Sequence, residues 1–313
     1  MVNTIEPDVK KITEKDPYKK IELISRTCYK SEDKITKTSA KKFVKGLIKR
    51  MHTAMLEHQY FLFQIKNSGY FVEQYINMLK NEDYVHVTKH TDYISENGMI
   101  GSNIRYLVSA NVRTICERGI NDPIFRAIKN LYPELIYNEN DKEVYNDVYA
   151  LVVNLTDFDD ITEEEILEHS YFTFRVICDR GVSHEFVRHR PCSFAQESTR
   201  YVNYKEGITV ILTNGFDEKS EEIKNVYIEA FNTADNCYRK LIELGESPQQ
   251  ARAVLPTALK TELVVTANMS EWKHIMNLRY FGTTGTPHPD MKVIAEKIYT
   301  ILKKDKMVGG LLG

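Results

Sequence analysis

The chain has 313 residues, 42% hydrophobic and 27% charged, enough to bury a core as one large domain or two modest ones. A net charge of −2 and a pI near 6.5 count against a polyanionic partner such as a nucleic acid. No apolar run nears the roughly 20 residues of a membrane helix, and the charged N-terminus lacks the apolar stretch of a secretory signal, so the expected location is the cytoplasm with no membrane contact.

In chain order, helical spacing of apolar residues predicts helices over 18–30 (Ile21, Ile24, Cys28) and 38–52 (Phe43, Val44, Leu47, Ile48, Met51). "QYFLFQI" (59–65) reads as a strand, and "YFTFRVI" (171–177) is another of the same kind. Between them, 66–168 holds a helix at 70–80 and a polar turn, "SENG", at 95–98. It reads as an elaboration on a smaller core within one domain spanning 1–313. Thr162 and Glu165 form a capping box. The longest helix is expected over 221–245, its core face made by Ile223, Val226, Ala230, Phe231, Ala234, Tyr238, Leu241 and Ile242. Ser247-Pro248 opens a short helix that Pro256 ends, 261–267 is a strand, and Ser270 is expected to cap the helix after it. A last helix starts at Pro289, and the tail "GGLLG" is expected to fray. "SANVRT" (109–114) echoes "TANMSE" (266–271), too briefly to call a repeat.

"VRHRPCSFAQESTRY" (187–201) carries the chemistry. Arg188, His189 and Arg190 adjoin, with Arg200 close behind, and like charges so close call for an anion among them. Ser183 is expected to cap a helical turn whose Val182, Phe186 and Val187 face the core, while Glu185, Arg188 and His189 share the other face. Pro191 turns the chain into a loop, "CSFAQES", whose hydroxyls and amides suit phosphate oxygens. The arginines can bind phosphate bidentately. A solvated basic turn paired with Glu185 and Glu197 is the competing reading of this segment. His189 has no second histidine or carboxylate at ligand spacing that its arginine neighbours would not disfavour, so no metal is expected. The cysteines (28, 116, 178, 192, 237) are odd in number and scattered, which predicts reduced thiols. Cys192 is either a thiol activated by its arginine neighbours or a small packing residue.

The "HEFVRHR" lead-in, Arg188-His189-Arg190 with seven residues and then Ser198, "QESTRY", "HTAMLEH" (52–58), "ARAVLP" (251–256) and "NLR" (277–279) together resemble the flavin-dependent thymidylate synthases, in the same chain order. The resemblance implies a mixed α/β subunit with a central sheet flanked by helices, assembled as a homotetramer with active sites where subunits meet. It implies methylation of dUMP to dTMP, with methylenetetrahydrofolate as carbon donor, FAD as cofactor and NADPH as reductant. By position, Arg188, His189, Arg190, Gln196, Asn268, Met269, Ser270, His274, His58 and Tyr60 would contact FAD. Glu185, Phe186, Val187, Arg188, Gln196, Glu197, Ser198, Thr199, Arg200 and Arg252 would contact dUMP, and Arg279 would stabilise the ionised uracil. Ser270 stands where many members have arginine, "YFGTTGTP" before His288 is extra, and 66–168 exceeds compact members. A flavin-free phosphotransferase lacks a Gly-rich phosphate loop here, and an RNA-binding module conflicts with the charge.

Overall fold

A computed structural model describes residues 2–66, 70–96, 99–138, 145 and 147–312. The chain runs β1 (Asn3–Thr4), β2 (Asp8–Lys11), α1 (Pro17–Tyr29), α2 (Ser39–Lys49), β3 (Tyr60–Lys66), α3 (Tyr70–Leu79), β4 (Val85–Glu96), β5 (Met99–Asn111), α4 (Val112–Arg118) and α5 (Pro123–Leu131). It continues with β6 (Tyr149–Val153), α6 (Glu163–His169), β7 (Tyr171–Asp179), α7 (Arg180–Phe186), β8 (Ser193–Gln196), β9 (Thr209–Val210), α8 (Glu221–Glu243), α9 (Pro248–Ala251), β10 (Lys260–Asn268), α10 (Met269–Met276) and α11 (Pro289–Lys303). No helix among the described residues is long and apolar enough to cross a membrane.

This is a mixed α/β architecture with two four-stranded antiparallel sheets, ordered β4-β5-β3-β6 and β8-β10-β7-β2, plus a small β1-β9 pair. Each large sheet buries its own core. Phe63, Tyr75, Leu47, Ile115 and Phe125 lie in the first, and Phe174, Phe186, Trp272, Ile294 and Ile298 in the second. The segment 66–168 thus supplies three of the four strands of the first sheet, and its core closes against α1 and α2.

The two sheets are built alike. "LEHQYFLF" (56–63) enters β3 as "LEHSYFTF" (167–174) enters β7. Tyr60 pairs with Asn111 and Tyr171 with Asn268, in the same register. Asn111 then caps α4 by accepting from Thr114 N (2.9 Å), as Asn268 caps α10 by accepting from Glu271 N (3.0 Å). The brief echo at 109–114 and 266–271 is therefore one junction of an internal repeat: strand, helix, strand, strand, capped helix. The copies meet at a pseudo-twofold contact where Tyr60 and Tyr171 stack at 3.7 Å between ring centroids.

Several expectations are corrected. The loop "CSFAQES" is in part strand β8, which pairs with β10 and alternates between two covered faces: Ala195 packs with Ile24 and Val264 on one, and Phe194 packs against the second core on the other. Asp179, not Ser183, caps α7, and Asn268, not Ser270, caps α10; a cap must be the extended residue where the strand ends. Val187 is exposed, not core. In α8 only Phe231, Asp235 and Tyr238 are buried, leaving Ile223 and Val226 on the surface. The tail does not fray: Val308 and Leu312 dock into the second core through a turn at Gly309–Leu311. Half of the "SENG" turn, residues 97 and 98, lies outside the described residues.

Candidate functional site

Three elements converge on His189. It follows α7 and is buried, whereas Arg188 and Arg190 on either side are exposed. Arg279, past the end of α10, donates from Nε to His189 Nε2 (3.2 Å) and from Nη1 to Glu185 Oε2 (2.8 Å). Glu271 of α10 places Oε1 3.3 Å from His189 Nδ1, and His274 lies one turn further with its ring 6.1 Å from that of His189. Glu271 Oε1 is buried without a hydrogen-bond partner. The guanidinium of Arg279 is thus held in place by a carboxylate and an imidazole.

His189, Glu271 and His274 put one ligand atom each within 4.8 Å of one another, spacing that could hold a metal ion. Sequence spacing gave no hint of this, because the three residues come from two elements. Arg279 at 3.2 Å from His189 opposes a cation there.

The other expected residues divide. Thr199 is buried and accepts from Arg252 Nη1 (3.3 Å); Arg200 is exposed and reaches Gln249 Oε1 from Nε (3.2 Å). Ser198 Oγ accepts from Arg200 N (3.3 Å). Gln196 spends its amide on Ser183 Oγ (2.9 Å) and Thr261 Oγ1 (3.2 Å). Glu197 is buried and held by Lys260 Nζ (2.8 Å), and Phe186 and Met269 are fully buried in the second core. Among the described residues no carboxylate pairs with Arg188, Arg190, Arg200 or Arg252.

His58 is fully buried, with Nδ1 2.8 Å from Thr266 Oγ1 and Nε2 unpartnered; Tyr60 beside it is half-buried. Burial, then Lys20, pulls the His58 pKa down to about 3. The same happens crosswise: His169 lies 2.9 Å from Ser109 Oγ and 2.8 Å from Thr88 Oγ1, and burial, then His86, lowers it to about 3. Each histidine of one repeat thus meets the hydroxyl of the other at matching positions.

Sequence reasoning missed Glu271 and also the tie between Asn268 and the first repeat. Asn268 Nδ2 donates to Glu168 Oε2 (3.0 Å), which also receives His86 Nδ1 (2.8 Å). The hydrogen bond from His86 lowers the Glu168 pKa, and burial opposes it. The duplicated Leu-Glu-His-x-Tyr-Phe was the signal that could have found these partners. Burial, then Glu271, pushes the Cys192 thiol well above its usual range, so the neighbouring arginines do not activate it.

The chain matches the family model described as "Thymidylate synthase complementing protein" over residues 11–78 and 122–305; β4, β5 and α4 lie in the unmatched 79–121. It is similar to the flavin-dependent thymidylate synthase of Geobacter sulfurreducens, 35% identical over 117 residues, 37% of this chain and 50% of that protein. The Pyrococcus furiosus enzyme of the same name is 35% identical over 122 residues, 37% and 49%. The chain spans about half the length of the curated relatives it matches. Among solved structures it is similar to PolB, a UMP/dUMP methylase from Streptomyces cacaoi bound with 5-Br UMP, at 12% identity over 97% of this chain and 92% of that one. The TM-score of 0.43 is too low to carry an argument. The chain belongs to the thymidylate synthase complementing protein family.

Proposed function

We propose that this member of the family methylates dUMP to dTMP as one domain over 1–313, with methylenetetrahydrofolate as carbon donor and FAD, reduced by NADPH, as cofactor. The observation that carries the reading is the set of arginines at 188, 190, 200 and 252 with no carboxylate partner among the described residues, beside an Arg279 held rigid by Glu185 and His189. Free guanidiniums in that number suit phosphates.

The residues present fit a flavin dinucleotide. The surroundings of His189 offer Arg188 and Arg190, which pair with no carboxylate among the described residues, the start of α10, and Glu271 Oε1, buried without a hydrogen-bond partner. Arg188, His189, Arg190, Ser270 and His274 would hold it. When bound, the flavin supplies the hydride. Thr199, Arg200 and Arg252 would bind the dUMP phosphate, and Arg279 would stabilise negative charge on the uracil ring, which makes C5 electron-rich enough to attack the donated carbon. Neither Cys192, a buried and protonated thiol, nor Ser198, whose hydroxyl meets no base among the described residues, is set up as a nucleophile. The exposed apolar side chains of α8, Ile223 and Val226, support association into the proposed homotetramer.

The test is uptake of FAD by the purified chain, followed by conversion of dUMP to dTMP with methylenetetrahydrofolate and NADPH. FAD binding raises the melting temperature by mass action. A protein that neither takes up flavin nor shifts its melting, under conditions where it is folded, refutes the reading.

A further inference from the structure

His90 and Asp92 stand two residues apart on β4, and so on one face of the first sheet. Asp160 reaches the same spot from the turn before α6. Each offers one ligand atom, and the three atoms lie within 4.8 Å of one another. His90 Nε2 is 2.7 Å from Asp92 Oδ1 and 3.5 Å from Asp160 Oδ2. A ring nitrogen carries at most one hydrogen, so it cannot donate well to two carboxylates from separate elements. A cation among the three satisfies all of them.

The groups behind these atoms are fixed. Asp160 turns its other oxygen, Oδ1, to Arg105 Nη1 (2.6 Å), and Arg105 stands directly opposite His90 on β5. Arg105 also holds Glu165 (3.0 Å), whose Oε2 lies 4.0 Å from His90 Nδ1, the ring's other nitrogen. The Glu165 side chain is only 2% exposed and accepts from Thr162 N (2.9 Å) in its capping box. A carboxylate behind the far nitrogen of a ligating histidine, and a donor on the outer oxygen of a ligating carboxylate, orient both ligands toward a metal. The side chains of Asp92 and Asp160 are each 47% exposed, which leaves further coordination positions open to water.

The cluster at His189 is arranged the other way. There Arg279 donates to His189 Nε2 itself (3.2 Å) and so occupies a ligand atom. Arg105, among the described residues, takes only carboxylate oxygens. Three carboxylates meet one guanidinium around His90, and the surplus of negative charge favours a divalent cation.

We propose that His90, Asp92 and Asp160 bind one divalent transition-metal ion. One imidazole nitrogen with carboxylate oxygens and water suits zinc or manganese. Ligand atoms around a tetrahedral zinc stand about 3.4 Å apart. That is close to the separation of His90 and Asp160, and the half-exposed Asp92 has room to back off. The ion joins the β4–β5 hairpin, in the segment 79–121 that the family model leaves unmatched, to the matched turn before α6. None of its three ligands enters the proposed flavin or nucleotide contacts, so the site stands apart from the thymidylate reading.

Isothermal titration of the full, EDTA-treated chain with zinc chloride tests it. The wild type should bind one zinc through these residues and melt higher as zinc is added, by mass action. His90→Gln should weaken zinc roughly a hundredfold or more, since losing a partner behind a ligand already costs ten- to hundredfold. Asp160→Asn should weaken it in the same direction, whereas His274→Gln should stay within about threefold of the wild type. In the wild-type protein, zinc should protect His90 from diethylpyrocarbonate, read by peptide mass spectrometry, which needs no variant to fold. A wild-type chain that binds no zinc, a zinc-loaded chain with His90 unprotected, or a folded His90→Gln protein that binds as the wild type does overturns the site. Zinc lost from His274→Gln and kept by His90→Gln would put the ion at His189 and overturns it as well.

Discussion

The two repeats share a fold and differ in charge. Ser193 sits opposite Thr266 in one sheet as His86 sits opposite Ser109 in the other. Five residues before these positions stand Arg188-His189-Arg190 in the second repeat and Asn81-Glu82-Asp83 in the first. The pairing opposite these segments differs as well. His189 faces Glu271 at 3.3 Å, whereas Glu82 faces Arg118 at 3.3 Å. The arginines of the first repeat are paired: Arg105 with Asp160 (2.6 Å) and Glu165 (3.0 Å), Arg113 with Glu57 (2.6 Å), and Arg118 with Asp122 (2.6 Å). In the second, Arg175 and Arg279 are paired, but Arg180, Arg188, Arg190, Arg200 and Arg252 meet no carboxylate among the described residues. A shared backbone therefore carries cancelled arginine charges in one copy and uncompensated ones in the other, and the latter are the proposed anion site.

The largest expected effect comes from giving the second repeat the charges of the first. Arg188→Glu with Arg190→Glu should weaken FAD roughly a hundredfold or more, since two charge-assisted contacts become repulsions. Glu82→Arg, the opposite exchange in the first repeat, should change FAD affinity by less than about threefold, the scale of a distant surface substitution. Flavin fluorescence titration should also count one FAD per chain. Two per chain would mean that the first repeat kept a working site.

Arg279→Lys should lower dTMP formation by roughly two orders of magnitude, the scale of losing a placed charge-stabilising donor, while NADPH still reduces the flavin. Stopped-flow reduction and product assays separate the two half-reactions. Equal loss in both would make Arg279 a structural partner of Glu185 instead.

The contact between the repeats has its own signature in pH. His58 and His169 are held neutral, with pKa values near 3 against an ordinary 6.5. Above about pH 6.5 neither the folded nor the unfolded form is protonated at these sites, and their contribution is constant. As pH falls below that, the unfolded chain binds protons that the folded chain refuses. Stability should then drop by about 1.4 kcal/mol per pH unit for each histidine, levelling off near pH 3. Denaturant melts of wild type and His169→Gln between pH 7 and 5 should show a shallower slope in the variant. Parallel slopes would show that His169 already titrates normally in the fold.

The smallest effect is expected at Cys192. Cys192→Ala should keep FAD content and dTMP formation within about threefold, because the thiol is a protonated core group, at a cost in melting temperature for the lost packing. A folded, flavin-loaded variant that makes no dTMP would restore the thiol as a nucleophile.

The sequence by itself determined the local structure and the family. Periodicity placed α1, α2, α3, β3, β7, β10 and α11, because each has one apolar face of its own to bury. Arg-His-Arg and the matched blocks around it marked the segment proposed to bind anions, because uncompensated charge in a row is visible without a fold. What the tertiary structure decided is which charges stay uncompensated. Arg105 and Arg188 look alike in sequence; only the fold brings Glu165 and Asp160 to the first. It likewise brought Glu271 and Arg279 to His189, and showed the short echo at 109–114 and 266–271 to be a repeat. It left the apolar face of α8 on the surface, since hydrophobic spacing says that a face seeks a cover and not which surface supplies it. Pairing across a sheet or between helices joins residues tens to hundreds of positions apart, so charge balance is a property of the packed chain and not of any one segment of it.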